Sequence, residues 1–157
     1  MKHRSNFPVI PVQEVPQYST LESEPYRTMV MVVDDESVIA DTLVEILNRS
    51  GYAAIAAYDA EGALETALVT PPELLITDVV LPEMNGIELA IAIRRIFPEC
   101  KILLFSGQAS TSGLLAMASR EGHEFSLMNK PVHPRDLLAR VTEIFKDKRE
   151  RATVNSM

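Results

Sequence analysis

The chain has 157 residues, enough for one domain with a substantial core, and its single cysteine, Cys100, excludes an internal disulfide. The net charge of the chain is −7. Residues 1–28 are neutral and residues 146–157 carry +2, so residues 29–145 carry a net charge of −9. Such an acidic body argues against direct DNA binding, which needs a basic surface, and suits a divalent cation or a basic protein partner.

The start of the chain, M-K-H-R-S-N-F-P-V-I-P, has basic residues but no apolar stretch of the kind found in secretory signals. No apolar run approaches the length of a membrane span, so we expect no membrane insertion and a cytoplasmic location. Four prolines and the lack of any periodic pattern predict an extended or disordered lead-in over residues 1–27. A globular domain is expected over 28–147, followed by a C-terminal tail over 148–157.

From Met29 onward, five apolar runs alternate with five segments of helical periodicity. The predicted strands are 29–33, 53–57, 74–76, 101–105 and 124–129, and the predicted helices are 36–50, 60–69, 87–97, 110–121 and a last one from Pro134. This alternation is typical of parallel βαβ units with right-handed crossovers. It predicts an α/β fold, a doubly wound five-stranded parallel sheet with helices on both faces, of the flavodoxin-like type.

Polar side chains follow four of these strands at the point where each strand ends. They are Asp34 and Asp35, Asp78, Ser106, and Lys130. Because the carboxyl ends of parallel strands lie at one edge of a sheet, we expect these residues to lie close together. Three neighbouring carboxylates repel one another unless a cation lies among them, and Mg²⁺ prefers such oxygen ligands.

The same residue types suit phosphoryl transfer, which needs little beyond in-line positioning and neutralisation of charge. The Asp78 carboxylate is the candidate nucleophile. Lys130 offers a mobile cation for phosphoryl oxygens, and Ser106 offers a hydroxyl that can turn to donate a hydrogen bond.

With these motifs, the chain closely resembles the receiver domain of bacterial two-component response regulators, of the chemotaxis Y protein type. The resemblance runs from Met29 to Phe145. The residues that carry it are the pair Asp34-Asp35, Asp78 with Pro82 four residues on, the turn Met84-Asn85-Gly86, Ser106, and Lys130-Pro131.

The resemblance implies that Asp78 accepts a phosphoryl group from a sensor histidine kinase or a phosphotransfer protein. It implies that Asp34, Asp35 and Asp78, with the backbone carbonyl of Val80, hold Mg²⁺. It also implies that Ser106 and Lys130 respond to the phosphorylated state, and that the Lys130–Pro131 peptide is cis.

The chain departs from the pattern of that family at three places. Leu127 stands where a Tyr or Phe usually transmits the switch, although Phe125 lies two residues earlier and therefore on the same strand face. Gly107 replaces a common Ala after Ser106, which loosens that loop. Val80 and Gln108 occupy positions that tune dephosphorylation, where a Gln can orient a water and a Val cannot.

Only twelve residues follow Phe145, too few for an output domain, so the resemblance suggests a stand-alone receiver, monomeric or weakly dimeric. Such a protein signals in a phosphorelay by binding a downstream protein target, through its last two strands and helices, rather than by enzymatic turnover. Self-phosphorylation and slow autodephosphorylation would be its only reactions. One alternative is a receiver-fold interaction module that acts without phosphorylation, which Leu127 favours. Another is a phosphatase of the haloacid dehalogenase type, which Asp34 and Glu36 match only marginally.

Overall fold

The computed structural model describes the backbone of residues 25–107 and 111–155. The strands are β1 (Met29–Val33), β2 (Ala53–Ala57), β3 (Leu74–Asp78), β4 (Lys101–Ser106) and β5 (Ser126–Asn129). The helices are α1 (Ser37–Arg49), α2 (Ala60–Val69), α3 (Gly86–Ile96), α4 (Thr111–Arg120) and α5 (Pro134–Asn155). The predicted alternation of strands and helices is confirmed.

The five strands form one parallel sheet in the order β2-β1-β3-β4-β5. In this order the chain moves to one side of β1 and then to the other, so the order reverses between β1 and β3, which is where ligands bind in open α/β sheets. Val33 of β1 is paired with Thr77 of β3. The next residue along each strand is an aspartate, so the register itself places Asp34 beside Asp78.

Helices cover both faces of the sheet, as predicted. On one face, alanines of α2 and the apolar side of α3 pack on Leu75 and Leu104. On the other, α1 and α5 contribute Leu47 and Leu137, which belong to the same cluster as Leu74 and Ile76. The side chains of the β3 residues 74–76 are wholly buried, which is the reason that the strand reads as an uninterrupted apolar run.

The structure shifts several predicted boundaries. β5 begins at Ser126 rather than at 124, because its pairing with β4 starts there, and Phe125 packs against the core just before it. α5 continues to Asn155 and so extends through most of the predicted tail. Of the predicted lead-in, residues 1–24 lie outside the described part, and Pro25 to Thr28 approach β1 without regular structure.

Within the residues that the structure describes, no helix is both long enough and apolar enough to cross a membrane.

Candidate functional site

Three carboxylates meet at the carboxyl ends of β1 and β3. Asp34, Asp35 and Asp78 each offer an oxygen, and these oxygens all lie within 4.8 Å of one another. Asp34 is 2% exposed and Asp35 is exposed. The N-cap of α1 is Glu36, whose side chain makes no capping hydrogen bond. Oδ1 of Asp34 accepts from the backbone amide of Glu36 at 2.9 Å and so helps to fix the entry to α1. This bond uses one oxygen of Asp34, and the other, Oδ2, accepts from Lys130.

Lys130 follows β5, which lies two strands away from β3 in the sheet, and its side chain reaches the carboxylates. Its Nζ donates to Oδ2 of Asp78 at 2.7 Å and to Oδ2 of Asp34 at 3.2 Å. Burial alone would lower the pKa of Lys130, but the hydrogen bonds and charges of Asp78 and Asp34 outweigh it and raise the pKa above 10.5. Lys130 therefore stays charged at neutral pH, and the site is a network of one ammonium with two largely buried carboxylates.

Both oxygens of the Asp78 side chain have partners. Oδ1 accepts from the backbone amide of Val80 at 3.1 Å, while Oδ2 accepts from Lys130. The Asp78 side chain is 12% exposed, so it remains reachable from solvent. The carboxylate is thus held in one orientation at the mouth of the site, as a nucleophile needs.

The loop after β3 fixes the backbone of Asp78. The amide of Gly86 donates to the carbonyl of Val79 at 2.8 Å, which folds α3 back against the strand end. A Cβ atom on Gly86 would lie 2.0 Å from the carbonyl oxygen of Asp78, so only glycine fits. Asn85 caps α3 by accepting from the amide of Glu88 at 2.8 Å, and Glu83 adopts a positive φ of 68° to complete the turn. In the predicted turn Met84-Asn85-Gly86, the glycine is therefore a steric requirement of the site, and Asn85 caps the helix that follows.

The ends of β4 and β5 carry the remaining predicted residues. Ser106 is the last residue of β4 and is buried, and its carbonyl accepts from the amide of Lys130 at 2.9 Å. Gly107 is exposed, and a Cβ there would meet only Cβ of Lys130 at 3.9 Å, so glycine is not sterically required. Gln108 lies outside the described residues. The Lys130–Pro131 peptide is cis, as the resemblance implies.

Leu127 and Phe125 both pack on the cluster that covers the α2 and α3 face, so they lie on the same side of the sheet although Phe125 precedes β5. Leu127 is partly buried within β5. The guanidinium of Arg94 lies 5.0 Å from the centre of the Phe125 ring, and His123 stacks on the same ring. Phe125 is held by these two side chains, so the aromatic ring nearest to the departure is already packed in place.

The donor set fits a small divalent cation. All three candidate side-chain ligands are carboxylates, the hard oxygen donors that Mg²⁺ prefers. With Lys130 they carry a net formal charge of −2, which a divalent ion balances. The residues present therefore suit the metal that the sequence predicted.

Sequence reasoning missed Thr77. It is wholly buried, and its hydroxyl donates to the carbonyl of Asp78 at 3.0 Å, which constrains the peptide group that follows Asp78. The signal available in the sequence is that Thr77 is a lone polar residue at the end of an apolar run.

Comparison with known proteins agrees with this geometry. The family model for the response regulator receiver domain matches residues 30–142. The chain is 31% identical over 115 residues to the response regulator receiver protein CpdR of Brucella abortus, covering 73% of this chain and 94% of CpdR. It is 35% identical over 120 residues to the alkaline phosphatase synthesis transcriptional regulatory protein PhoP of Bacillus subtilis, covering 74% of this chain and 48% of PhoP.

The fold is similar to that of known structures as well. The crystal structure of a CheY-like response regulator receiver domain protein from Methanospirillum hungatei matches with a TM-score of 0.73 and 28% identity, covering 80% of this chain and 99% of that one. The match in sequence, the strand order and the placement of the acidic residues all point to the same family. This chain belongs to the response regulator receiver domain family.

Proposed function

We propose that this protein is a single-domain response regulator that accepts a phosphoryl group on Asp78 and signals by phosphorylation-dependent binding to another protein. The donor would be the phosphohistidine of a sensor histidine kinase or of a phosphotransfer protein in a phosphorelay. One observation carries the proposal: the Asp78 carboxylate is accessible, oriented by Val80, and 2.7 Å from the ammonium of Lys130.

Asp34, Asp35 and Asp78, together with the backbone carbonyl of Val80, would hold Mg²⁺ at the carboxyl end of the sheet. When bound, the ion supplies neutralisation of the negative charge that gathers as donor phosphate and carboxylates approach. Asp34 is almost wholly buried and so is oriented by the fold before any ion arrives. Asp35 is exposed and leaves one side of the site open to solvent.

In the transfer step, an oxygen of the Asp78 carboxylate attacks phosphorus and a P–O bond forms. The P–N bond of the phosphohistidine breaks, its electron pair returns to the imidazole nitrogen, and that nitrogen takes up a proton from solvent. The product is an acyl phosphate on Asp78 and a neutral histidine on the donor. Lys130, already beside Asp78, is placed to follow the phosphoryl oxygens as the charge moves onto them.

Phosphorylation would act on the fold by changing what Lys130 and Ser106 bind. In the unphosphorylated chain Lys130 is shared between Asp78 and Asp34. An acyl phosphate adds oxygens that compete for the ammonium and for the Ser106 hydroxyl, and so favours a second arrangement of the β4 and β5 ends. The predicted output surface, formed by the last two strands and helices, lies directly beside these residues.

A protein donor has a surface to bind next to Asp78. A depression of about 440 Å³ opens beside Lys130. Its lining is largely apolar and consists of Ile39, Leu43, Phe105, Lys130, Pro131 and Val132. An apolar side chain of the donor placed there would bring its phosphohistidine to the rim that carries Asp78.

Beryllofluoride, which mimics the acyl phosphate, tests the acceptor directly. With Mg²⁺ it should change the nuclear magnetic resonance spectrum of the wild type around Ser106 and Lys130, and acetyl phosphate should add the mass of one phosphoryl group. Asp78→Asn should show neither effect. Glu65→Gln, at an exposed position of α2, is the matched control and should behave as wild type. Equal responses of wild type and Asp78→Asn would remove Asp78 as the acceptor.

The single-domain assignment is supported by the alignment with CpdR, of which 94% is covered. PhoP is about twice as long as the aligned segment. The alternative to a single-domain protein is therefore one that signals through a further domain. We expect a cytoplasmic monomer or weak dimer that does not bind DNA directly and does not turn over p-nitrophenyl phosphate. Co-purification of partners with and without beryllofluoride would identify the downstream target.

A second candidate function is constitutive binding without phosphorylation, with Leu127 in place of the usual aromatic residue as the supporting observation. It predicts a partner that binds Asp78→Asn as tightly as wild type, with and without beryllofluoride. Binding that depends on beryllofluoride in the wild type alone would eliminate it.

A further inference from the structure

The end of the domain opposite Asp78 carries an exposed apolar surface. Leu68 and Val69, in the last turn of α2, are 65% and 85% exposed, and Ile96 at the end of α3 is 45% exposed. Pro71 and Pro98 follow these two helices and are exposed as well. We call these five residues the basal patch. Solvated side chains of this size on two adjacent helix ends are unusual unless something covers them.

Three residues of the basal patch, Pro71, Ile96 and Pro98, line a depression of about 330 Å³. The depression is almost entirely apolar and is lined by Pro71, Pro72, Glu73, Ile96, Phe97, Pro98, Glu99 and Cys100. Phe97 adds an aromatic side chain to this apolar lining, and grooves with aromatic side chains bind extended segments that contain proline.

The described chain begins beside this depression. The hydroxyl of Tyr26 donates to Oε2 of Glu73 at 2.5 Å, and the amide of Met29 donates to the same oxygen at 2.9 Å. Glu73 lines the depression, so these two bonds fix the point from which residues 1–24 must leave. The lead-in therefore departs from the immediate neighbourhood of the basal patch.

The lead-in contains one segment with the matching chemistry. Residues 7–12 read F-P-V-I-P-V, an uncharged apolar run with prolines at positions 8 and 11. Prolines at this spacing favour an extended polyproline conformation, which loses little entropy when it binds. Ile10 precedes Pro25 by fifteen residues, and a flexible linker of that length spans roughly 20 Å, enough to fold back onto the patch.

We propose that residues 7–12 of this chain bind to the basal patch of the same molecule, with the Tyr26–Glu73 hydrogen bond as the anchor of the returning segment. A linker of this length holds the segment near its site at an effective concentration of roughly 1 mM. A contact whose dissociation constant is about 1 mM is then about half occupied, so even a weak fit shields Val69 and Ile96 from solvent. The lead-in is thereby kept at the end of the domain away from Asp78.

Methyl nuclear Overhauser spectra of the full chain test the contact. We expect cross-peaks from Phe7 or Ile10 to Val69 or Ile96, and a shift of the Ile96 methyl signals when residues 1–24 are deleted. Ile10→Ser should reproduce the deletion, and a synthetic peptide of residues 5–14 should restore the wild-type shifts of the deleted chain at millimolar concentration. Ile10 lies outside residues 30–142, which the receiver family model matches, so we expect the Ile10→Ser domain to fold as the wild type does.

Two control variants isolate the segment and the surface. Tyr18→Ser changes a residue of the lead-in outside the apolar run, and Val38→Asp changes a residue of α1 that is 77% exposed and belongs to the other face. Both should keep the cross-peaks, whereas Val69→Asp should lose them. Identical Ile96 shifts with and without residues 1–24 would overturn the proposal. Shifts that follow protein concentration instead would assign the patch to a second copy and overturn it equally.

Discussion

Gly86 is the residue whose substitution is most directly constrained by the geometry. An alanine Cβ there would lie 2.0 Å from the carbonyl oxygen of Asp78, 2.9 Å from its carbonyl carbon and 3.1 Å from Cα of Val79. All three atoms belong to the backbone, so no side-chain rotation relieves the clash. Gly86→Ala must therefore move either the end of β3 or the start of α3, and both position Asp78.

The expected loss is near the upper end of the roughly 1–3 kcal/mol that overpacking costs, because the obstacle is backbone. For a chain of this length each kcal/mol corresponds to about 2–4 °C in Tm, so Gly86→Ala should lower Tm by about 6–12 °C. Gly113 in α4 is the matched control, since nothing lies within 4 Å of a Cβ placed there. Gly113→Ala should raise stability by about 0.5–1 kcal/mol.

Urea denaturation and thermal melts followed by circular dichroism measure the stability and the Tm of both variants, and the response to beryllofluoride with Mg²⁺ reports on Asp78. We expect Gly86→Ala to be destabilised and to respond weakly even where it is fully folded, because its strand end is displaced. A Gly86→Ala protein within about 0.5 kcal/mol of wild type and with an unchanged beryllofluoride response would refute the steric argument.

Three further predictions concern the charged residues. Lys130→Gln should cost about 1–3 kcal/mol at pH 7, because Asp34 is left buried without its cation. Since the folded-state pKa of Lys130 is raised above 10.5, wild-type stability should fall as pH rises above 10.5 through that pKa. Lys130→Gln should lack this fall in alkaline urea titrations, and an equal slope would contradict us. Mg²⁺ at ten times its dissociation constant should stabilise the wild type by about 1.4 kcal/mol in thermal melts, reversibly with EDTA. Asp34→Asn should lose most of that gain; a gain equal to the wild type's would show that Asp34 is not a ligand. Arg94 donates to the carbonyls of Cys100 and Glu124 and lies over Phe125. Arg94→Leu should therefore cost about 1–3 kcal/mol in urea, against almost nothing for exposed Arg95→Leu, and similar values for the two would be evidence against these contacts.

The sequence was sufficient to predict the architecture, because hydrophobic periodicity and its interruption at turn residues are local properties. The runs at 29–33 and 53–57 match β1 and β2 residue for residue. Predicted ends were least accurate where long-range pairing decides them, as at β5, whose first residue is set by its register with β4. Helix α5 continues from 148 to 155 through the predicted tail, because that stretch has no compositional break that would end the helix earlier.

Residue identity by itself determined which side chains could form the site: two acids after β1, one at the end of β3 and a lysine after β5. Only the tertiary structure decided how they meet, because the distances depend on strand order and register rather than on position in the chain. The pairing of Val33 with Thr77 places Asp34 beside Asp78. Lys130 follows Asp78 by 52 residues in the chain, and the position of β5 in the sheet brings its Nζ to 2.7 Å from the Asp78 carboxylate. The need for glycine at position 86 was likewise decided by the tertiary structure. It arises because the carbonyl of Asp78 lies against Gly86, and this contact exists only when α3 folds back on β3.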